Sequence, residues 1–323
     1  MKKLSMIVLS IVLLFVLAGS ASFAEEFKVG LLVKGAINDS GFTQSGYEGL
    51  LAIEKEYNAE VSWVRTASPS DMKDSFIDYG EKGFDLVIGH GFEYQDAAFE
   101  VAPDYPDTKF ATIGGSKVAE NLAPFAGKSE DIAYLAGIIA AMISKTGIAG
   151  LVGGMDVPAI MKTFRGFELG AKTINPDFKV LAAYGGSWDD VNLGYETSLA
   201  HIKRGADVVY ANANIVGQGV IKAAVEKDIW CYGHGTDQSN FAPDNMIASV
   251  VADFKSLYVE IARRVQAGEF KGEITEVGLK AGVANLIWNE KVKKQLPQEV
   301  LEAVNKATER IISGEITVPG EHD

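Results

Sequence analysis

The 323-residue sequence holds one cysteine, four histidines and nine prolines, and each shortage excludes something. With Cys231 alone, no intramolecular disulfide can form, so stability must come from core burial. The setting Trp230-Cys231-Tyr232 reads as a strand in which the thiol is a small buried hydrophobe, not a reactive group. The histidines, His90, His201, His234 and His322, show no metal-ligand spacing with one another or with Cys231, and a catalytic zinc site draws on about three protein ligands. There is no nucleotide P-loop and no serine at a strand-turn-helix elbow. No enzyme, metal or cofactor is therefore expected. Positive charge is also scarce: 30 lysines and arginines face 43 acids, a formal net charge of −13. So acidic a surface repels phosphate backbones, and nucleic acid is not an expected partner.

Long apolar runs are missing after the first 24 residues, and the run within them is informative. Lys2 and Lys3 precede an apolar stretch from Met6 to Ala18, and Ser22-Phe23-Ala24 offers the small residues of a cleavage site. This is the pattern of a secretory signal peptide, 1–24, cleaved after Ala24. The stretch is shorter than the roughly 20 residues a spanning helix needs. Leu17-Ala18-Gly19 resembles the start of a lipoprotein box, but Ser20 stands where the lipidated cysteine would be. A soluble, unlipidated periplasmic protein is expected, and a monomer.

From Glu25 onward, strand and helix patterns alternate. Strands are expected at Lys28–Val33, Glu60–Val64, Asp85–Gly89, Lys109–Ile113, Ile148–Val152, Val180–Tyr184, Asp207–Ala211 and Trp230–Tyr232, with amphipathic helices between them and two more helices, Asp253–Ala267 and Pro297–Ser313, at the end. Such alternation means βαβ units and an α/β fold with parallel sheets. Ser68-Pro69-Ser70-Asp71 reads as a helix start, with a capping serine, proline at the first helical position and an acid in the first turn. Four or so βα units end near Gly115 and four more follow from Ile148, so two doubly wound lobes are expected. Gly114–Lys128 reads as the crossover between them.

In such lobes ligands bind beyond the carboxyl ends of the strands. The loops there carry Asn38, Asp39 and Phe42; Phe92; Trp188 within Gly186-Ser187-Trp188-Asp189-Asp190; Asn212; and Asp237. Aromatics can sandwich a flat ring, and amides and carboxylates can read its edge. His90 and His234, each flanked by glycines, take cleft-rim positions. A second possibility for those histidines, together with Asp237, is an exported nucleoside-processing enzyme, but no triad accompanies them.

At these loops the chain resembles the basic membrane protein (BMP) family of ABC-transporter substrate-binding proteins, a group that includes purine nucleoside receptors. The pieces are Gly35-Ala36-Ile37-Asn38-Asp39-Ser40-Gly41-Phe42, Tyr47-Glu48-Gly49, Tyr134-Leu135-Ala136-Gly137, Gly150–Gly154 with Pro158, Phe167 with Gly170-Ala171-Lys172, Gly205-Ala206-Asp207-Val208-Val209, Asp237-Gln238 and Ala242-Pro243. The resemblance implies a type I periplasmic-binding-protein fold: two Rossmann-like lobes with parallel sheets joined by three crossovers, residues 25–125 and about 254–275 in one lobe, 126–253 and about 276–323 in the other. It implies a purine-type ligand between the lobes and an ABC permease in the inner membrane as partner. By position, Asn38, Asp39 and Phe42 match the first ligand-lining loop, Asp131 an acid facing the base, and Trp188 an element of a branch that takes free nucleobases. Gly235 and Ala252 stand where the nucleoside branch has an acid and a lysine that grip the ribose. That weighs against a nucleoside and leaves room for a nucleobase or another small solute. A sensor subunit that presents its ligand to a membrane receptor would share the same cleft.

Overall fold

The computed structural model describes residues 26–38 and 42–319. The expected signal peptide and Asp39 lie outside the described residues. In chain order the strands are β1 (Lys28–Val33), β2 (Glu60–Arg65), β3 (Leu86–Gly89), β4 (Lys109–Ile113), β5 (Leu122–Gly127), β6 (Ile148–Gly153), β7 (Lys179–Tyr184), β8 (Val208–Asn212), β9 (Trp230–His234), β10 (Met246–Ala252), β11 (Thr275–Val277) and β12 (Ala284–Trp288). The helices are α1 (Phe42–Tyr57), α2 (Pro69–Glu81), α3 (Gln95–Val101), α4 (Ser129–Ile143), α5 (Pro158–Ile174), α6 (Val191–Lys203), α7 (Val216–Glu226), α8 (Phe254–Gln266), α9 (Glu290–Lys293) and α10 (Gln298–Ile312). None of the described helices is long and apolar enough to cross a membrane.

The start of α2 shows how local chemistry sets an element. The Ser68 hydroxyl accepts the Asp71 amide at 3.1 Å, and the Asp71 carboxylate accepts the Ala67 and Ser68 amides at 3.0 and 3.1 Å. Donors that the first turn would leave orphaned are thus satisfied reciprocally, as the Ser-Pro-Ser-Asp spacing predicts.

The strands form two six-stranded sheets, ordered β11-β5-β4-β3-β1-β2 and β12-β10-β9-β8-β6-β7. Every pairing is parallel except β10 with β12. Each sheet is covered on both faces by helices, which is why its inner strands read as continuous apolar runs. Leu31, Ile88, Leu257 and Tyr258 lie in the core on one face of the first sheet, and Leu32, Phe76, Val87 and Phe110 in that on the other. The second sheet divides likewise between Leu151, Phe167, Tyr210 and Tyr232 on one side and Val152, Val209, Val220 and Cys231 on the other. Helices α4 and α5 approach so closely that a methyl group on Gly137 or Gly170 would strike a backbone carbonyl of the opposite helix, Phe167 or Tyr134. Small residues at that crossing bring two helices together at backbone range.

The chain passes between sheets three times: from β5 into α4, from β10 into α8, and from β11 into β12. The three passages run side by side, tied by Lys128 N–H to Val277 O at 3.0 Å and Asp253 N–H to Val283 O at 2.6 Å. A β-carbon built on Gly127, the last residue of β5, would lie 3.0 Å from that of Ala252, the last of β10. Strand ends of both sheets therefore abut, and their C-terminal edges share one side of the molecule. This is the type I periplasmic-binding-protein architecture that the family resemblance implies. One expectation is corrected. Gly114–Lys128 is not all crossover: Leu122–Gly127 is a strand, paired with β4 over Leu122–Phe125 and with β11 over Phe125–Gly127. Pro124, Gly127 and two alanines gave that run no β signature, and its neighbours β4 and β11 supply the pairing that the residues themselves do not advertise.

Candidate functional site

In each sheet the strand order reverses at one point. The first sheet turns about β1, flanked by β3 and β2; the second about β6, flanked by β8 and β7. Successive connections leave such a strand in opposite directions and open a crevice beyond its carboxyl end. The loops at these two crevices carry most of the predicted site.

In the first lobe, Phe42 opens α1 and stacks on the His90 ring, with centroids 3.9 Å apart and planes 20° apart. Phe254 meets Phe42 edge-on at 5.5 Å. Phe42 remains 45% exposed, so the stack covers one face of its ring and leaves much of it open. His90 is buried and held from two sides: its Nε2 donates to the Phe42 carbonyl at 2.6 Å, and its Nδ1 accepts from the Tyr258 hydroxyl at 2.8 Å. Asn38 is exposed on the β1 loop, and Phe92, at the rim beyond β3, is 64% exposed.

In the second lobe, Trp188 lies over Gly154. A β-carbon built on Gly154 would sit 2.5 Å from Trp188 Cε3, so only glycine lets the indole settle there. The seat is braced by backbone bonds from Gly154 N to Asn212 O (3.1 Å), Ser187 N to Gly154 O (3.0 Å) and Val216 N to Trp188 O (3.2 Å). The Cε3–Cζ3 side of the indole is thus covered, and the residue is still 40% exposed. Asn212 is half-buried at the end of β8, and its side chain makes no hydrogen bond among the described residues. At the end of β9, His234 accepts at Nδ1 from the Tyr210 hydroxyl, 2.7 Å away, and burial lowers its pKa to about 4.

Two predicted residues are placed differently from these. Asp237 is exposed and engaged in its own loop, accepting from the Ser239 amide (3.0 Å) and hydroxyl (2.6 Å). Asp131 is buried at the start of α4, and a β-carbon built on Gly278 in the β11–β12 passage would lie 2.7 Å from its Oδ2. Burial, opposed by Lys128, raises its pKa to about 6. Asp131 therefore sits at the crossovers between the sheets. Beside it is a charge cluster that the sequence pattern does not reveal. Lys162 of α5 reaches Glu276 of β11 at 2.7 Å and Glu130 of α4 at 3.4 Å, all three groups largely buried. Burial, opposed by Lys162, lifts Glu130 to about 7.

The two departures from the nucleoside pattern have local reasons. Gly235 has φ +82°, a conformation that strains any residue with a side chain. Ala252 packs against Gly127 at a crossover. A hollow of about 470 Å³ bounded by Ile221, Lys222, Val225 and Phe241 lies on the outer side of α7, away from both crevices. Among the described residues, no group of three or more acids, histidines or cysteines is arranged to hold a metal ion.

Comparison with known proteins adds to this geometry. The family model described as ABC transporter substrate-binding protein, PnrA-like, matches residues 27–322. A purine-binding protein of Brucella abortus is 28% identical over 305 residues, covering 94% of this chain and 85% of the relative. Basic membrane protein D of Borreliella burgdorferi is 31% identical over 320 residues, covering 96% and 93%. Among solved structures, a transcriptional activator of the comK gene from Bacillus halodurans superposes with a TM-score of 0.80 at 26% identity, covering 90% of this chain and 99% of the other.

Proposed function

The chain belongs to the PnrA-like family of ABC transporter substrate-binding proteins, and on that premise we propose that it captures a purine, a free nucleobase in preference to a nucleoside, between its lobes and delivers it to an ABC permease. The carrying observation is Trp188: an indole seated on Gly154 with much of its surface open, on the same side of the molecule as the Phe42–His90 stack of the other lobe. Two partly open aromatic surfaces, one per lobe, suit a flat ligand. Asn212 and Asn38 offer amide groups to its edge. No charged side chain replaces the ribose-gripping pair at Gly235 and Ala252, so a ribose would find no ionic partner there. The Brucella abortus relative, described as purine-binding, agrees with this ligand class.

A ligand that touches both lobes only when they are closed shifts the open–closed equilibrium by its differential affinity. We take the moving units to be the lobes given above, hinged at the three crossovers. Calorimetry with adenine, hypoxanthine, guanine and their nucleosides tests the ligand class. We expect micromolar or tighter binding of at least one base and weaker binding of its nucleoside; no heat from any of them would remove the purine assignment. The site would act in the periplasm after cleavage behind Ala24, without a lipid anchor. N-terminal sequencing of the exported protein should begin at Glu25, and a chain in washed membranes with Met1 intact would contradict it.

The description of the Bacillus halodurans structure favours a second reading, a ligand-presenting sensor. Loss of purine uptake on deletion supports import; intact uptake with a lost transcriptional response would support sensing.

A further inference from the structure

The two lobes carry the same small device at the C-terminal edge of their sheets. A histidine closes or follows a strand, and a buried tyrosine hydroxyl holds its Nδ1 from inside: Tyr258 behind His90 at 2.8 Å, Tyr210 behind His234 at 2.7 Å. In the first lobe the outer nitrogen is spent on the Phe42 carbonyl. In the second it is not. His234 Nε2 has no hydrogen bond among the described residues, and it is absent from their buried unpartnered atoms, so it reaches solvent.

The tautomer follows from the partners. Tyr210 is fully buried, and His234 Nδ1 is its hydroxyl's hydrogen-bond partner. A phenol so placed must donate, because an unpaired buried O–H costs more than an unpaired lone pair. Burial also keeps the imidazole neutral near pH 7. Nδ1 then accepts, and Nε2 carries the hydrogen. The backbone around the ring is fixed as well: His234 N–H donates to Gln238 Oε1 at 3.1 Å, and the Gln238 amide donates to Ser249 Oγ at 3.0 Å. The result is an uncharged N–H donor held at the carboxyl edge of the second sheet and open to solvent.

We propose that His234 is a ligand-reading residue whose Nε2–H donates to an unprotonated ring nitrogen or carbonyl oxygen of the bound base, with Tyr210 as the residue that positions it. This deepens the purine reading and rests on it. A neutral donor recognises a neutral acceptor and rejects a ligand that presents N–H at the same point, since two donors would then face each other. Such a contact distinguishes bases of equal shape, which stacking on Trp188 does not.

The test compares wild type, His234→Leu, His234→Gln and Tyr210→Phe by calorimetry. The ligands are adenine, hypoxanthine, guanine and their nucleosides, the 1-, 3- and 7-deaza analogues of whichever binds, and unsubstituted purine. His234→Leu should weaken binding about tenfold or more, and His234→Gln, whose amide can place an N–H near the same point, by no more than about threefold. Tyr210→Phe should fall between them. One analogue, the one lacking the acceptor, should bind wild type about tenfold less tightly than its parent but bind His234→Leu no less tightly than the parent does. Thermal melts of the unliganded variants verify folding. If wild type binds none of the panel, the purine reading falls and this inference with it. If wild type binds and His234→Leu binds equally well, the inference alone is overturned. It is likewise overturned if His234→Leu weakens every analogue by the same factor, because the side chain then acts through structure and not through a ligand atom.

Discussion

Trp188→Ala should raise the dissociation constant for the bound base tenfold to a thousandfold, an effect of about 1.5–4 kcal/mol of the kind that buried aromatic anchors carry. The expectation starts from Gly154. Without a side chain there, the indole settles against the backbone at the crevice beyond β6, and bonds among Gly154, Ser187, Trp188, Asn212 and Val216 fix the loop that holds it. Its position is set before any ligand arrives, so little is spent on ordering it. Removing it deletes stacking area and leaves the ligand one face short, while the lobe beneath loses little. The unliganded variant should melt only a few degrees lower, as about 1 kcal/mol would give in a chain of this size. Trp230→Ala supplies the contrast. Trp230 begins β9 at the opposite edge of the same sheet and packs, half-buried, on the core shared with α4, α5 and α10. Its loss should cost about 2–3 kcal/mol of stability and leave the affinity of the folded protein little changed. Calorimetry and thermal melts on the two variants read both quantities. An unfolded Trp188→Ala beside a Trp230→Ala that cannot bind would move the cleft to the other edge.

The contrast between those two tryptophans also marks how far the sequence could be read. Trp188 follows a strand pattern and sits among Gly, Ser and Asp, so its loop position is legible from neighbours alone. Its seat is not, because Gly154 is 34 positions away and meets the indole only through the pairing of β6 with β7. The eight strands with β-branched or aromatic runs were legible. β5, β10, β11 and β12 were not: β5 is built from small residues around Pro124, β11 spans Thr275–Val277, and β12 is an antiparallel edge that breaks the alternation. The cleft-rim positions of His90 and His234 follow from their glycines, but the tyrosines that fix their tautomers come from a different strand or helix. Asp131 is singled out by the family resemblance; its neighbour Gly278, in the third crossover, is set by packing that the sequence around Asp131 does not show.

The crossovers are where a single change should cost the most stability. Lys162→Met should lower the unfolding free energy by about 3–5 kcal/mol above pH 8, the range for breaking a buried ion pair on one side, and by clearly less at pH 5. Lys162 is buried between two carboxylates at the crossovers, Glu130 at the start of α4 and Glu276 on β11 of the first sheet. Burial works against its ammonium, but the two acids outweigh that and hold its pKa above the ordinary lysine value. Both Glu130 oxygens lack a hydrogen bond among the described residues, so Lys162 is the charge that makes an ionised Glu130 tolerable. The sign of the pH dependence follows from Glu130. Its pKa is raised in the folded chain to about 7, from the ordinary glutamate value of about 4.5. Such an acid contributes stability in full below the unfolded pKa and loses it as pH rises through the folded one. At pH 5 Glu130 keeps its proton with or without the lysine, and the variant forfeits only the contact with Glu276. Above pH 8 the wild type ionises Glu130 beside Lys162, whereas the variant must either bury a bare carboxylate or hold a proton against the solvent. Urea unfolding at pH 5 and pH 8.5 measures the difference. Adding Glu130→Gln to the variant should recover most of the extra loss at the higher pH and little at the lower. A deficit of equal size at both values would mean that the methylenes of Lys162, not its charge, hold the two lobes at their crossing.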